Sequence, residues 1–224
     1  MSEVYRIQKR RKLFNFNINI LLIIINVGLF ILFSLLGFFS SPNCETTVCN
    51  YIALKPSNIT TNFYFWTFLT SMFMHAGFFH LFVNMFSMLF LGNLVEKIIG
   101  KKRFISFYLL SGLFAGILFV LVSLFFPSEN VYAVGASGAI FGLIGLLMVL
   151  TPNLPVYMMF IPIPIKMKYA APAMLLILWL ISILGDVPVG NTAHLGGFIL
   201  GLIYGFYLKK KYKNKTKYLS KLFS

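Results

Sequence analysis

The chain has 224 residues, 59% of them hydrophobic and only 11% charged, which leaves too little polar side chain to coat a water-soluble globule of that size. A net charge of +14 could suggest a nucleic-acid partner, but the basic residues sit in separated clusters between long apolar runs rather than on one folded face. No nucleic acid is expected, and the clusters read as marks of membrane topology.

The basic stretch from Arg6 to Lys12 leads into an apolar run at about 18 to 40, too long for the core of a cleaved signal and followed by no A-x-A-like site. It reads as a retained signal anchor. The longest connection, about 41 to 76, carries the aromatic cluster Phe63, Tyr64, Phe65, Trp66 and Phe68, which suits the headgroup interface, so the segment is expected to lie on the membrane. Within it Cys44 and Cys49 either close a small local disulfide or remain two thiols, and spacing alone does not choose. Further runs at about 77 to 96, 104 to 126 and 192 to 208 are each long enough for a hydrocarbon core of about 30 Å. Two shorter, Gly- or Pro-containing runs at about 137 to 151 and 170 to 184 are counted as spans because the loops between them change charge sign.

The expected architecture is all-α: a polytopic membrane protein with a six-transmembrane-helix bundle over residues 18–208, a basic N-terminus over 1–17 and a Lys-rich tail over 209–224 that touches anionic lipid. With both termini in the cytoplasm, Arg6, Lys9 to Lys12, Lys97, Lys101 to Arg103, Lys166, Lys168 and the seven lysines from Lys209 to Lys221 share that side, and only Lys55 lies outside. The short chain without a soluble domain points to a bacterial inner membrane.

Polar groups inside a bilayer are costly, so their positions carry information. His75 and His80 flank the start of the second span, and Asn84 shares a helical face with His80. His194 opens the sixth. All four fall in the outer half of the membrane. The run Gly135, Ala136, Ser137, Gly138 precedes a span ending near Leu150, and at 1.5 Å per residue that helix reaches roughly 21 Å, short of the bilayer core. It must begin below the surface, and non-helical backbone at that depth has to line a wet cavity or be enclosed by protein. Ser137 thus sits at the floor of a pit and at a helix N-terminus that favours negative charge.

Gly197, Gly201 and Gly205 follow His194 along one helix side, and Gly138, Gly142 and Gly145 follow Ser137. Packing one ridge on the other would bring imidazole to hydroxyl, with His194 as general base and then general acid. Asn84, His80 and the Ser137 backbone N–H are the candidate donors for an oxyanion. Asp186, in an outer loop, is not expected to serve as a third member. Three histidines without cysteine or carboxylate partners at ligand spacing do not suggest a metal, and no cofactor is expected. Ala139 excludes the G-x-S-x-G elbow of soluble hydrolases.

At these residues the sequence resembles the rhomboid family of intramembrane serine proteases. His75, His80 and Asn84 (H-x4-H-x3-N), Gly135 to Gly138 (G-x-S-G) and His194, Gly197 and Gly201 (H-x2-G-x3-G) appear in order, and the likeness runs from about Phe16 to Leu208. The resemblance implies a six-helix core, a Ser137/His194 dyad on the fourth and sixth helices, an oxyanion site built from the second, and a substrate that is a transmembrane helix, usually of a single-pass protein. His75, at the membrane edge, is read as a supporting residue, and Gly92, Glu96 and Gly100 match a further family pattern that is taken as structural. Thr67 stands where many members have Arg, and Phe141 where some have Tyr, so a ring can stack beneath His194 without offering a hydroxyl. The expected activity is hydrolysis of peptide bonds in or near transmembrane segments. A catalytically silent member that binds and escorts membrane proteins is the alternative, and a transporter would need symmetric broken helices that are not visible.

Overall fold

The computed structural model describes residues 17–36, 47–126, 132–158, 162–185 and 190–223. Helix α1 (Ile18–Leu35) begins where the Asn17 side chain accepts the Ile20 N–H at 3.0 Å. Two more N–H groups of its first turn are taken by a carboxylate from another helix: Glu96 accepts from Ile18 at 3.2 Å and from Asn19 at 2.7 Å. Helix ends leave such donors unpaired, and near lipid there is little water to satisfy them.

The outer segment folds as three short helices, α2 (Thr47–Ile52), α3 (Pro56–Thr60) and α4 (Thr67–Thr70), none long enough to cross a bilayer. Trp66 Nε1 donates to the Tyr51 carbonyl at 2.8 Å, Thr70 Oγ1 to that of Ile52 at 2.9 Å, and the Tyr64 ring stacks between Tyr51 and Trp66. These contacts brace the segment that lacks the usual arginine. Thr67 itself is fully buried and turns its hydroxyl to the Tyr64 carbonyl at 2.7 Å. Cys49 is buried and disulfide-bonded, while Cys44 lies outside the described residues.

The next apolar stretch is one rod in three parts: α5 (Phe78–Ser87), a π turn (Met88–Gly92) and α6 (Asn93–Ile99). The wide turn is where α1 locks in, since Asn19 Nδ2 donates to the Met88 carbonyl at 2.9 Å and to Asn93 Oδ1 at 3.1 Å. A side chain at Gly92 would collide with Asn19. Gly100, with φ of +82°, then reverses the chain into α7 (Lys101–Phe125).

Helix α8 (Ser137–Leu150) is the axis of the bundle, with every residue but Ser137 and Met148 buried. A helix apolar on all sides belongs at the centre of its bundle. An antiparallel hairpin follows, β1 (Pro155–Tyr157) on β2 (Pro164–Lys166), a small element that the all-α reading does not include. It leads to α9 (Met167–Leu184) and α10 (Asn191–Lys211). α10 packs most closely on α8 and α7, whereas α9 touches α8 and α10 lightly.

Four described stretches are long and apolar enough to cross a membrane: 18–35, 78–99, 101–125 and 167–184. The helical membrane bundle expected from the sequence therefore stands, and a count of six requires the shorter α8 and the lysine-tipped α10 to cross as well. The Lys-rich tail is helical: α11 (Lys213–Lys221) returns toward the bundle, and Leu219 and Phe223 pack on the core. Asp186 lies outside the described residues.

Candidate active site

The site is built around the entry to α8. Gly135 has φ of +111°, a conformation that L side chains rarely adopt, and its N–H donates to the Ser71 carbonyl at 2.8 Å. Two residues earlier, Ala133 and Leu54 exchange backbone hydrogen bonds of 3.1 and 2.9 Å, which ties this approach to the outer segment. The chain is thus held on two sides before Ser137 opens the helix. No side chain caps α8, so its first-turn N–H groups stay oriented toward the serine end.

The approach of α10 is set by glycine. A Cβ on Gly197 would collide with the Gly138 carbonyl, and one on Gly201 with the Gly142 carbonyl, so backbone lies on backbone along this seam. Gly205 rests on Val149 instead of Gly145, and Gly145 faces the backbone of Phe198, so the two ridges diverge toward the far end. One turn above the Gly197–Gly138 contact, His194 Nε2 lies 2.8 Å from Ser137 Oγ. The imidazole is 7% exposed and stacks on Phe141 with ring centroids 4.6 Å apart. If Nε2 accepts the serine proton, the ring proton must sit on Nδ1, which is buried and has no partner. Among the described residues the sole acid, Glu96, is engaged with the start of α1, so orientation of His194 rests on stacking and the glycine seam.

His80 and Asn84 reach the same place from α5. A Cβ on Gly135 would come 2.8 Å from the His80 Nε2 edge and 3.4 Å from Asn84 Nδ2, so both side chains lean on the backbone just before Ser137. His80 Nδ1 accepts the Ala76 N–H at 3.4 Å, which leaves the proton of the neutral ring on Nε2, the edge turned to Gly135. Asn84 is 4% exposed and its Nδ2 has no partner. A buried amide donor without a partner is costly unless something outside the chain accepts from it. His75 is fully enclosed and meets His80 edge to face, with centroids 5.2 Å apart. Burial, with the neighbouring His80 adding, pushes its pKa down to about 3. Among the described residues no three His, Cys, Asp or Glu side chains are arranged to hold a metal.

Ser137, His194, His80, Asn84, Gly135, Gly138, Phe141 and Gly197 thus come together in the structure. Gly201 lies a turn farther down the seam, and His75 meets the group at His80. The Ala76 N–H and the Ser71 carbonyl also shape the site, and sequence reading could not find them because both act through backbone atoms.

Fold and geometry together define a class: a membrane-embedded helical bundle with a serine and a histidine hydrogen-bonded at the head of a short, enclosed helix. A family model described as a rhomboid domain matches residues 62–211. RHOMBOID-like protein 1 of Arabidopsis thaliana is 38% identical over 157 residues, covering 69% of this chain and 37% of that protein. Rhomboid protein 1, mitochondrial, of Saccharomyces cerevisiae is 30% identical over 193 residues, covering 83% and 51%. A protein named Inactive RHOMBOID-like protein 8 of Arabidopsis thaliana is 34% identical over 144 residues, covering 63% and 37%. The chain belongs to the rhomboid family. It spans about half or less of the length of these relatives. The plant and mitochondrial relatives lend no support to the expected bacterial inner membrane, and what stands is an integral membrane protein.

Proposed function

We propose that the chain is an intramembrane serine endopeptidase that hydrolyses peptide bonds in or near transmembrane segments of membrane proteins, typically single-pass ones. The observation that carries this reading is the 2.8 Å separation of Ser137 Oγ and His194 Nε2. Ser137 Oγ attacks the carbonyl carbon of the scissile bond while His194 Nε2 takes its proton, so the C–O bond forms as the O–H bond breaks. Negative charge moves to the carbonyl oxygen, where Asn84 Nδ2, His80 Nε2–H and the Ser137 N–H are the donors. Collapse breaks the C–N bond, and His194 protonates the departing amine. A water, deprotonated by His194, then attacks the acyl-enzyme and restores the serine. These steps use side-chain and backbone groups of this chain and water, with no cofactor.

A peptide bond inside an intact helix keeps its carbonyl in a hydrogen bond, so small or helix-breaking residues at the cleavage position favour the reaction. The excess of Lys and Arg at one end of the bundle supports a topology with both termini in the cytoplasm and the dyad in the outer half, with residues 18–208 as the working membrane domain. A catalytically silent escort role is the second reading, favoured by the likeness to a relative named inactive.

Co-reconstitution in liposomes with single-pass substrates separates the two. Cleavage by the wild-type chain and none by Ser137→Ala supports the protease reading, and equal cleavage by both removes Ser137 from the mechanism. Failure of a mechanism-based serine-hydrolase probe to label wild-type protein at Ser137 supports the escort reading.

A further inference from the structure

The end of the bundle opposite the Ser137 pit gathers cations around one tyrosine. The first turn of α7 carries Lys101, Lys102 and Arg103 and no acid, an unfavourable placement at the positive end of a helix dipole. Arg103 Nη2 donates to Tyr212 Oη at 2.9 Å, and its guanidinium lies 5.3 Å from the centre of the Tyr212 ring. Lys211, in the last turn of α10, lies 5.8 Å from the same ring and donates to Tyr207 Oη at 2.8 Å. Two cations from different helices therefore converge on Tyr212, where the chain breaks between α10 and α11.

No acid of the described chain offsets them. Glu96, the one acid among the described residues, is buried and already accepts from Ile18 and Asn19. Helix α11 extends the patch: Lys213, Lys215 and Lys217 are exposed, while Leu219 and Phe223 hold the helix against the core. Tyr207, Tyr218 and Leu222 are exposed beside these cations, a pairing of rings, aliphatic side chain and charge that suits the boundary between headgroups and acyl chains.

We propose that an anionic phospholipid binds at this junction, its phosphate held by Arg103 and Lys211 over Tyr212 while α11 lies in the headgroup layer. The bilayer is the one anionic surface that every copy of the protein meets at this depth, and a phosphodiester accepts hydrogen bonds from guanidinium, ammonium and phenol together. The site is independent of the peptidase reading.

The test uses the full chain in zwitterionic detergent, with native mass spectrometry during titration by phosphatidylglycerol, phosphatidylcholine or inorganic phosphate. Wild-type protein is expected to retain a first phosphatidylglycerol at least tenfold more tightly than phosphatidylcholine and to keep it in excess inorganic phosphate. Arg103→Gln with Lys211→Gln is expected to weaken that lipid by about tenfold or more, since each cation near the headgroups contributes. The control Lys166→Gln with Lys168→Gln removes equal charge from the hairpin side and is expected to change it by less than about threefold. Equal losses in the two double variants, or displacement of the lipid by inorganic phosphate, would overturn the proposal. Should the first double variant not fold, Tyr212→Leu keeps every charge; it is expected to weaken phosphatidylglycerol binding severalfold, and unchanged binding counts against the site.

Discussion

Gly197 rests directly on the backbone of Gly138, one turn from the place where His194 and Ser137 share a hydrogen bond. The seam sets the distance between two helices, and that distance sets the reach of the imidazole. Gly197→Ala would push α10 away from α8, at about 1 to 3 kcal/mol for overpacking. We expect a lower melting temperature in detergent and a loss of cleavage larger than the loss of folded protein. Gly28→Ala, at an exposed α1 position with nothing within 4 Å of the added methyl, is the matched control and should leave both unchanged or slightly improved.

Asn84 keeps a buried amide donor without a partner beside Gly135. If that donor meets the charge developing on the substrate carbonyl, Asn84→Ala lowers kcat by about 100- to 1,000-fold with little change in KM. Proteoliposome kinetics with one cleavable substrate measure the split. A change confined to KM would assign Asn84 to substrate binding instead.

Glu96 caps the start of α1 from another helix. Glu96→Gln keeps one acceptor but loses the charge and one hydrogen bond, at about 1.5 to 3 kcal/mol. The expected result is a lower melting temperature, with the rate per folded molecule near wild type well below that temperature, because the clasp lies at the far end of the bundle from Ser137.

The His75 imidazole is held down to about 3 by burial in the folded state, against about 6.5 when unfolded. Below pH 6.5 the unfolded chain takes up a proton that the folded chain refuses, so acidification favours unfolding, with a slope approaching about 1.4 kcal/mol per pH unit until the folded group titrates. Melting curves between pH 7.5 and pH 4.5 should show this fall, and His75→Gln should make it less steep. An unchanged slope in the variant would assign the acid sensitivity to other groups.

Much of the architecture was legible in the amino-acid order because lipid imposes a one-dimensional rule. A helix that crosses hydrocarbon must be apolar along its length, so the spans at 18–35, 78–99 and 101–125 stand out as runs, whereas the one at 167–184 reads as a shorter run and is counted from the charge of its flanking loops. The shortness of α8 was legible in the same way, and so were the two glycine ridges, whose spacing on a helix is fixed by its geometry. The β1–β2 hairpin, the π turn and the return of α11 to the core were not legible. The π turn and the return of α11 depend on partners distant in the chain, such as Asn19 for Met88, and local composition holds no record of that pairing.

The candidate site divides along the same line. Residue types and spacing alone singled out Ser137, His194, His80 and Asn84, because polar groups are rare in a membrane segment and costly to place there. Only the tertiary structure decided that the first two lie 2.8 Å apart, that the Ala76 N–H puts the His80 proton on the edge facing Gly135, and that Arg103 meets Lys211 at Tyr212. Apolar length acts within one helix, whereas a hydrogen bond between helices depends on how closely their backbones approach, and here glycines at the contact allow that approach.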